Sequence, residues 1–311
     1  MSAQPAPESG DWLEIAVQVA GLDAETVADI FRQACEGGAA IQPSSRLDRE
    51  TDTYVLDGDA PALVKGYLRP GPEADRLQES LQIAVASAPL VHPAEWRDPV
   101  PLPETSWRDE WKKYFGLQRI GRSIVIQPSW IDYQRNDADV VIDIDPGLAF
   151  GTGQHPTTAM CLRALEEIVS QGATVLDIGC GSGILSIAAA KLGAARVTAI
   201  DIDPQAVSAT QSNVEANSID TIDVFEGALE DEAPVGGRFD VIVANISGLA
   251  IERLAPTISR RLTPGGRFIA SGFLDEAVET LRAAFDKADL TVERVDEDGV
   301  WRAIQARTSD A

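Results

Sequence analysis

The chain has 311 residues, which is too long for one small domain and suits two domains. Its 26 basic and 49 acidic residues give a net charge of -23 at pH 7, so its surface repels nucleic acid and anionic membranes and suits either a basic partner or solubility alone. The three widely spaced cysteines form no disulfide framework and indicate a reducing, cytoplasmic environment, and the two histidines cannot build a zinc site, so no metal is expected.

Residues 1–10, MSAQPAPESG, are predicted to form a disordered tail. They lack the basic and apolar regions of a signal peptide. No later apolar run approaches the ~20 residues that a membrane-spanning helix needs. We therefore expect no association with a membrane.

Residues 11–95 are predicted to form a small α+β domain. Strand patterns occur in WLEIAVQV, TYVLDG and ALVKGYLR, and helix patterns occur in LDAETVADIFRQACEGG and PEADRLQESLQIAVASA. The resulting order of strand, helix, strand, strand and helix suggests a ferredoxin-like sandwich. The Pro-rich stretch HPAEWRDPVPLPETS then predicts a semi-rigid linker over residues 96–106.

Strand and helix patterns alternate through residues 107–311 and predict a parallel sheet covered by helices on both faces. SIVIQPSW and DVVIDIDPG are predicted strands that precede the helix HPTTAMCLRALEEIV. After this helix the predicted strands are ATVLDIG, ARVTAIDID, DVFEG, FDVIVANI and GRFIASGF, and the helices between them are ILSIAAAKLG, PQAVSATQSNVEAN and SGLAIERLAPTISRRL. A last helix, DEAVETLRAAFDKA, precedes the strands LTVERVDE and GVWRAIQAR. The short Asp298-Gly299 turn between those two strands predicts an antiparallel hairpin at the sheet edge.

The stretch DIGCGSG, residues 177–183, places three glycines at alternate positions between an apolar strand and a helix. Such a loop is typical of a nucleotide-type site: Gly179 permits the tight turn, Gly181 lets a ligand touch the backbone, and Gly183 lets helix and strand pack closely. A plain tight turn is the alternative. The dinucleotide pattern G-x-G-x-x-G fails at Ile184, whereas G-x-G-x-G behind an acidic residue resembles the S-adenosylmethionine loop of class I methyltransferases.

Asp201 ends the next predicted strand, where dinucleotide folds carry an acidic residue that accepts hydrogen bonds from ribose hydroxyls. Its alternative role is to cap the following helix. Asp203 is better placed for capping, because Pro204 would then be the first helical residue. We therefore predict that Asp201 binds the ligand.

Three longer stretches narrow the family: WRDEWKKYFGLQRIGRSIVIQPSW at residues 107–130, DPGLAFGTGQHPTTAMCL at residues 145–162 and VIVANISG at residues 241–248. Together they closely resemble the ribosomal protein L11 methyltransferase family, with specific motifs over residues 107–273 and only a shared strand and helix order over residues 11–95. The resemblance implies a seven-stranded Rossmann-like class I methyltransferase domain at residues 107–311. The small α+β domain before it would recognise the protein substrate.

The resemblance also implies the cofactor, S-adenosylmethionine, and the residues that contact it. The residues that match the family's cofactor contacts are Thr158, Gly179, Asp201 and Asn245. Phe150, Gly151 and His155 match the loop that closes over the ligand, and Gly181 completes the predicted site through the glycine loop. His155 and Thr157 have an alternative role as caps of the following helix.

Asn245 is the predicted catalytic residue, because a polar side chain at the carboxyl edge of a buried sheet is usually functional. Its amide oxygen, or the neighbouring Ile246 carbonyl, can accept a hydrogen bond from an amine and hold the nitrogen in line for methyl transfer. The resemblance implies lysine side chains and an N-terminal amine of ribosomal protein L11, a basic partner, as acceptors. Another protein lysine, a small-molecule amine, or a binding scaffold without catalysis stay open as alternatives.

Overall fold

The computed structural model divides the chain into two compact units, residues 1–115 and 116–311. The described residues are 12–35, 39–42, 45–48, 53–56, 61–88, 90–102, 116–128, 130–144, 155–229 and 236–309. The predicted tail at residues 1–10 lies outside them. Within these ranges no helix is long and apolar enough to cross a membrane, and no group of three or more potential metal ligands occurs.

The first unit is an antiparallel sheet with helices packed on it. Its elements are β1 (Trp12–Val19), α1 (Ala24–Ala34), β2 (Ala39–Gln42), β3 (Ser45–Asp48), β4 (Thr53–Leu56), β5 (Ala62–Leu68), α2 (Pro72–Ser87), β6 (Glu95–Trp96) and β7 (Val100–Leu102). The strand order is β2-β5-β1-β6, and β7 also pairs with β1. Val27 and Phe31 on α1, and Leu81 and Val85 on α2, are buried at helical spacing and supply the core from each helix.

The structure differs from the sequence predictions at two places in this unit. The predicted strand TYVLDG contains β4, which pairs with β3 in a separate hairpin, while β2, which the patterns missed, pairs with β5 at the edge of the first sheet. The predicted linker at residues 96–106 begins inside the sheet, because β6 and β7 both pair with β1. Proline cannot donate to a strand ladder, yet Pro101 lies opposite Leu13 on an edge strand, where proline is tolerated.

The second unit contains a seven-stranded mixed sheet. Its elements are β8 (Gln118–Ile120), β9 (Ile124–Gln127), β10 (Val140–Asp143), α3 (Pro156–Ile168), β11 (Thr174–Ile178), α4 (Ile184–Lys191), β12 (Arg196–Asp201), α5 (Pro204–Ala216), β13 (Ile222–Glu226), β14 (Phe239–Asn245), α6 (Gly248–Arg261), β15 (Leu262–Leu274), α7 (Val278–Lys287), β16 (Leu290–Asp298) and β17 (Trp301–Thr308). The strand order is β13-β12-β11-β14-β15-β17-β16, and β8, β9 and β10 form a separate sheet. Strands β11 to β15 pair in parallel, whereas β17 runs antiparallel to β15 and β16, which confirms the predicted terminal hairpin.

The central strands of this sheet are buried on both faces. Val175 of β11 and Val241 of β14 join the core on one face, while Leu176 and Ile242 join the core on the other. Successive residues of a strand point to opposite faces of the sheet. Because helices cover both faces here, residues on both must be apolar, which explains the near-continuous apolar runs in the sequence. Because β11, β12 and β14 are parallel, the polar residues at their carboxyl ends meet at one edge.

Candidate functional site

The glycine loop between β11 and α4 has a backbone conformation that side chains rarely adopt. The φ angles of Gly179, Gly181 and Gly183 are 73°, 56° and 81°. A Cβ on Gly179 would overlap Cγ2 of Ile246, and a Cβ on Gly183 would lie 2.8 Å from Cγ2 of Thr210. Gly183 therefore lets α4 approach α5, whereas the sequence analysis expected it to bring helix and strand together.

The bare backbone at Gly181 has a local explanation. Its positive φ already favours glycine, so the missing side chain alone is no evidence of a ligand. The loop is held by hydrogen bonds to neighbouring elements. The Gly181 N–H donates to Asp201 Oδ2 at 3.0 Å, and the Gly181 carbonyl accepts from Thr210 Oγ1 at 2.9 Å. Asn213 Nδ2 donates to the Ser182 carbonyl at 2.8 Å, so the loop keeps one shape through its own partners.

Thr210 and Asn213 support the loop from α5, and neither was among the predicted site residues. Thr210 is fully buried and shares a helix face with Ala206 and Val214, one turn before and one turn after it. A hydroxyl at a buried position of an otherwise apolar face needs a hydrogen-bond partner. A threonine on an apolar helix face was therefore a visible sign in the sequence that a hydrogen bond exists. The sequence did not show that its partner is the carbonyl of a loop residue distant in the chain.

Asp201 lies at the end of β12 with each carboxylate oxygen accepting one main-chain N–H. Oδ2 accepts from Gly181, and Oδ1 accepts from Asp203 at 3.0 Å. A carboxylate offers about four acceptor positions, so two remain for hydroxyl groups of a ligand. Asp203 caps α5 by accepting from the Gln205 N–H at 2.8 Å, as its position before Pro204 predicted.

Asn245 lies beside the glycine loop, because the preceding residue of β14, Ala244, is in register with Ile178 of β11. Its Nδ2 donates to Oγ1 of the buried Thr158 at 3.3 Å. Its Oδ1 is buried and has no hydrogen-bond partner among the residues that the structure describes. A buried acceptor without a partner costs about 1–3 kcal/mol, so this oxygen is placed to receive a donor from a bound molecule.

The start of α3 carries the remaining predicted residues. His155 is the N-cap: its Nδ1 accepts from the Thr157 N–H at 3.4 Å, which is the capping role considered from the sequence. The ring also packs edge-on against Trp301 of β17, with centroids 4.6 Å apart, a contact that the sequence analysis did not foresee. Phe150 and Gly151 lie outside the described residues.

Asp177 is a fully buried carboxyl group at the end of β11, directly before the glycine loop. Its Oδ2 accepts from Ser186 Oγ at 2.6 Å, and within the described part of the chain its Oδ1 has no hydrogen-bond partner. Burial raises the pKa of Asp177 to about 7. Burial also raises the pKa of the Cys180 thiol to about 12, so the cysteine in the loop stays neutral and is a poor nucleophile.

Comparison with known proteins places this arrangement in a family. The family model described as ribosomal protein L11 methyltransferase (PrmA) matches residues 11–309. The chain belongs to this family. The matched residues include the first unit, for which the sequence resemblance to the family was limited to a shared order of strands and helices.

Individual members of the ribosomal protein L11 methyltransferase family align with nearly the whole chain. The protein of that name from Pelotomaculum thermopropionicum is 40% identical over 308 residues, which cover 96% of this chain and 99% of that protein. The protein of that name from Chloroflexus aurantiacus is 36% identical, and the alignment covers 96% of this chain and 99% of that protein. The crystal structure of ribosomal protein L11 methylase from Lactobacillus delbrueckii subsp. bulgaricus is 34% identical with a TM-score of 0.58, and covers 63% of this chain and 100% of that chain.

Proposed function

We propose that this protein transfers methyl groups from S-adenosylmethionine to amines of ribosomal protein L11, on lysine side chains, the N-terminal amine, or both. The observation that carries the proposal is the unpartnered Oδ1 of Asn245 beside the glycine loop. An acceptor oxygen at that position suits an N–H donor. Family membership supports the protein substrate.

The cofactor site consists of groups that suit a nucleoside carrying an amino acid. The two free acceptor positions of Asp201 would take the ribose hydroxyls, and the main chain at Gly179 and Gly181 would face the rest of the ligand. Thr158 and Asn245 would line the end nearest the reacting methyl group. S-adenosylmethionine supplies a methyl group already activated by its positively charged sulfur. The predicted contacts of Phe150, Gly151 and His155 remain part of this proposal.

Asn245 would act on the acceptor amine. Its Oδ1 accepts one N–H of the acceptor amine, and the hydrogen bond to Thr158 fixes the orientation of the Asn245 side chain. The lone pair of the amine nitrogen therefore points in a fixed direction. The Ile246 carbonyl is the alternative acceptor at this edge. Only a neutral amine has a free lone pair, and a lysine with an ordinary pKa of about 10.4 is mostly charged at neutral pH. Transfer into a partly buried site lowers the pKa of an amine and so increases the neutral fraction.

The domain roles belong to the same proposal. We infer a seven-stranded class I methyltransferase domain after residue 106 and a ferredoxin-like domain at residues 11–95 that recognises the substrate. The strand orders of the two sheets and the antiparallel β17 support these assignments. The net charge of -23 supports a basic protein partner and disfavours direct contact with nucleic acid or membrane. A ribosomal substrate and buried, unpaired cysteines support a cytoplasmic location.

Methyl transfer from labelled S-adenosylmethionine to purified ribosomal proteins tests the proposal. We expect label in ribosomal protein L11, with mass spectrometry placing it on amine nitrogens, and little label with the Asn245→Ala variant. A chain that begins at Glu104 should keep cofactor binding and lose protein methylation. Label on another protein or on a small-molecule amine, with none on ribosomal protein L11, would overturn the substrate assignment. Full protein methylation by the truncated chain would overturn the role of the first domain.

A further inference from the structure

Next to Asn245, the second unit exposes apolar side chains that a folded surface usually covers. Leu249, the second residue of α6, is 79% exposed and lies four residues after Asn245. Leu274, the last residue of β15, is 41% exposed. Single exposed leucines are common, so the location of this pair relative to the site is what requires an explanation.

The fold brings these side chains to the edge of the sheet where Asn245 lies. Strand β15 pairs in parallel with β14 and continues beyond it, so that Leu274 lies past the Asn245–Ser271 pair. A Cβ on Gly248 would lie 3.2 Å from Cβ of Phe273, so the start of α6 packs against the end of β15. Leu274 in turn pairs with Trp301, the first residue of β17.

Carboxylates surround this apolar edge. Asp275, Glu297 and Asp298 have side chains that are 69%, 79% and 47% exposed. Arg302 lies beneath two of them, only 15% exposed, with its Nε 2.8 Å from Asp275 and its Nη2 3.7 Å from Glu297. Arg163, 45% exposed, lies 3.4 Å from Asp298 and balances part of the charge of that carboxylate at the surface. With two arginines for three exposed carboxylates, this edge keeps a net negative charge.

We propose that Leu249, Leu274 and Trp301, with Asp275, Glu297 and Asp298 around them, form an acceptor face that binds the lysine-containing segment flanking the acceptor amine. The inference rests on the proposed function and adds a docking surface on the catalytic unit itself. Exposed carboxylates attract a basic segment, and exposed leucines match the aliphatic stems of its lysines and neighbouring apolar side chains. A second copy of this chain, also at -23, would be repelled.

The test uses the full-length chain with the Leu249→Ser variant. We expect the KM for ribosomal protein L11 to rise about 5- to 20-fold, because most of the area of this side chain would lose its apolar contact. Affinity for S-adenosylmethionine and turnover of a dipeptide carrying one lysine should stay unchanged, since neither reaches the acceptor face. Circular dichroism melting checks that the variant is folded.

A charge variant provides a second, independent arm. Glu297→Gln combined with Asp298→Asn should raise the KM for the protein about threefold and weaken its dependence on salt. Glu293→Gln is the matched control: it lies on the same strand, β16, four residues before Glu297, is paired with Arg267 and Arg307, and should change neither quantity.

The outcomes separate the acceptor face from the proposed function. Wild-type methylation of ribosomal protein L11 tests the function, and the ratio of variant to wild type tests the face. An unchanged protein KM in Leu249→Ser, or an equal rise for the dipeptide, would overturn the inference while leaving the function intact. Loss of a wild-type dimer in Leu249→Ser, seen by light scattering, would assign the face to a second copy and also overturn it.

Discussion

The edge of the large sheet has two halves that differ in how their polar groups are paired. In the cofactor half, Gly181, Asp201 and the Ser182 carbonyl already have protein partners at 2.8–3.0 Å. In the acceptor half, Asn245 has one hydrogen bond at 3.3 Å and an oxygen without a partner among the described residues, and Leu249 beside it is exposed. The groups of the cofactor half hold one another and leave two acceptor positions of Asp201 open, whereas we propose that an incoming amine supplies the missing partner of Asn245.

This difference follows from what each half has to hold. A loop that cradles a small ligand loses less conformational freedom on binding when its shape is preset by its own hydrogen bonds. An acceptor site must instead present an unused hydrogen-bond acceptor, which is costly when buried and is satisfied only by the incoming amine. Substitutions in the two halves should therefore separate cofactor affinity from turnover.

The largest expected effect concerns stability and arises beneath the cofactor half, at Asp177. Its pKa is about 7 in the folded protein against about 3.9 when unfolded, so the folded state binds a proton more tightly. The stability from this group, about 4 kcal/mol, is complete below about pH 4 and is lost as pH rises through about 7, with about 2 kcal/mol of the loss between pH 5 and pH 7.

Asp177→Asn should remove that loss, because an amide stays neutral and can still accept from Ser186. We expect the melting temperature of the variant to rise relative to wild type as the pH is raised from 5 to 8. Ser170→Ala, in the turn before β11, serves as a surface control with a parallel pH profile. A constant offset between Asp177→Asn and wild type at every pH would show that Asp177 is ionised in the folded protein.

Asp201→Ala should weaken cofactor binding about 10- to 150-fold, since it removes charge-assisted hydrogen bonds and leaves the Gly181 N–H without its acceptor. Isothermal titration with S-adenosylmethionine measures the change. The matched control is Asp203→Ala, which removes the cap of α5 and should lower stability by about 1 kcal/mol without changing affinity. Equal affinity losses in the two variants would mean that Asp201 acts only by shaping the loop.

Asn245→Ala should lower turnover about 10- to 100-fold, because a misplaced acceptor nitrogen loses its alignment. Cofactor affinity should fall less than in Asp201→Ala. With wild type, the rate on a lysine peptide should rise through pH 8 as more amine becomes neutral, whereas an α-amine should level off near its pKa of about 7.7–8.0. Normal turnover in Asn245→Ala, with chemistry limiting the rate, would remove the alignment role.

Thr210→Val should have the smallest effect on the site, a loss of about two- to tenfold in cofactor affinity. The substitution keeps the buried shape but removes the hydroxyl that donates to the Gly181 carbonyl. Ser212→Ala is the control on the same helix, since its exposed hydroxyl bonds only to the Ser208 carbonyl. An unchanged affinity in Thr210→Val would show that Asp201 and Asn213 alone preset the loop.

The sequence by itself determined the order of the strands and helices of the large sheet and the candidate residues at its edge. Apolar periodicity records burial, so β11, β12 and β14 and the helices between them were predicted close to their observed bounds. Parallel strands carry their carboxyl ends to one edge, which is why Asp201 and Asn245, far apart in the chain, could be assigned to one site. Asp203 was also correctly identified as a cap, because capping depends only on neighbouring residues.

The tertiary structure decided which groups are paired. Nothing local in the sequence shows that β2 rather than β4 joins the first sheet, or that Pro101 lies in an edge strand, because strand pairing depends on segments distant in the chain. The same reason hid the support of Gly181 by Thr210 and the contact of His155 with Trp301. That Asn245 Oδ1 has no hydrogen-bond donor among the described residues is also a tertiary property, because the residues around this oxygen come from several distant segments of the chain.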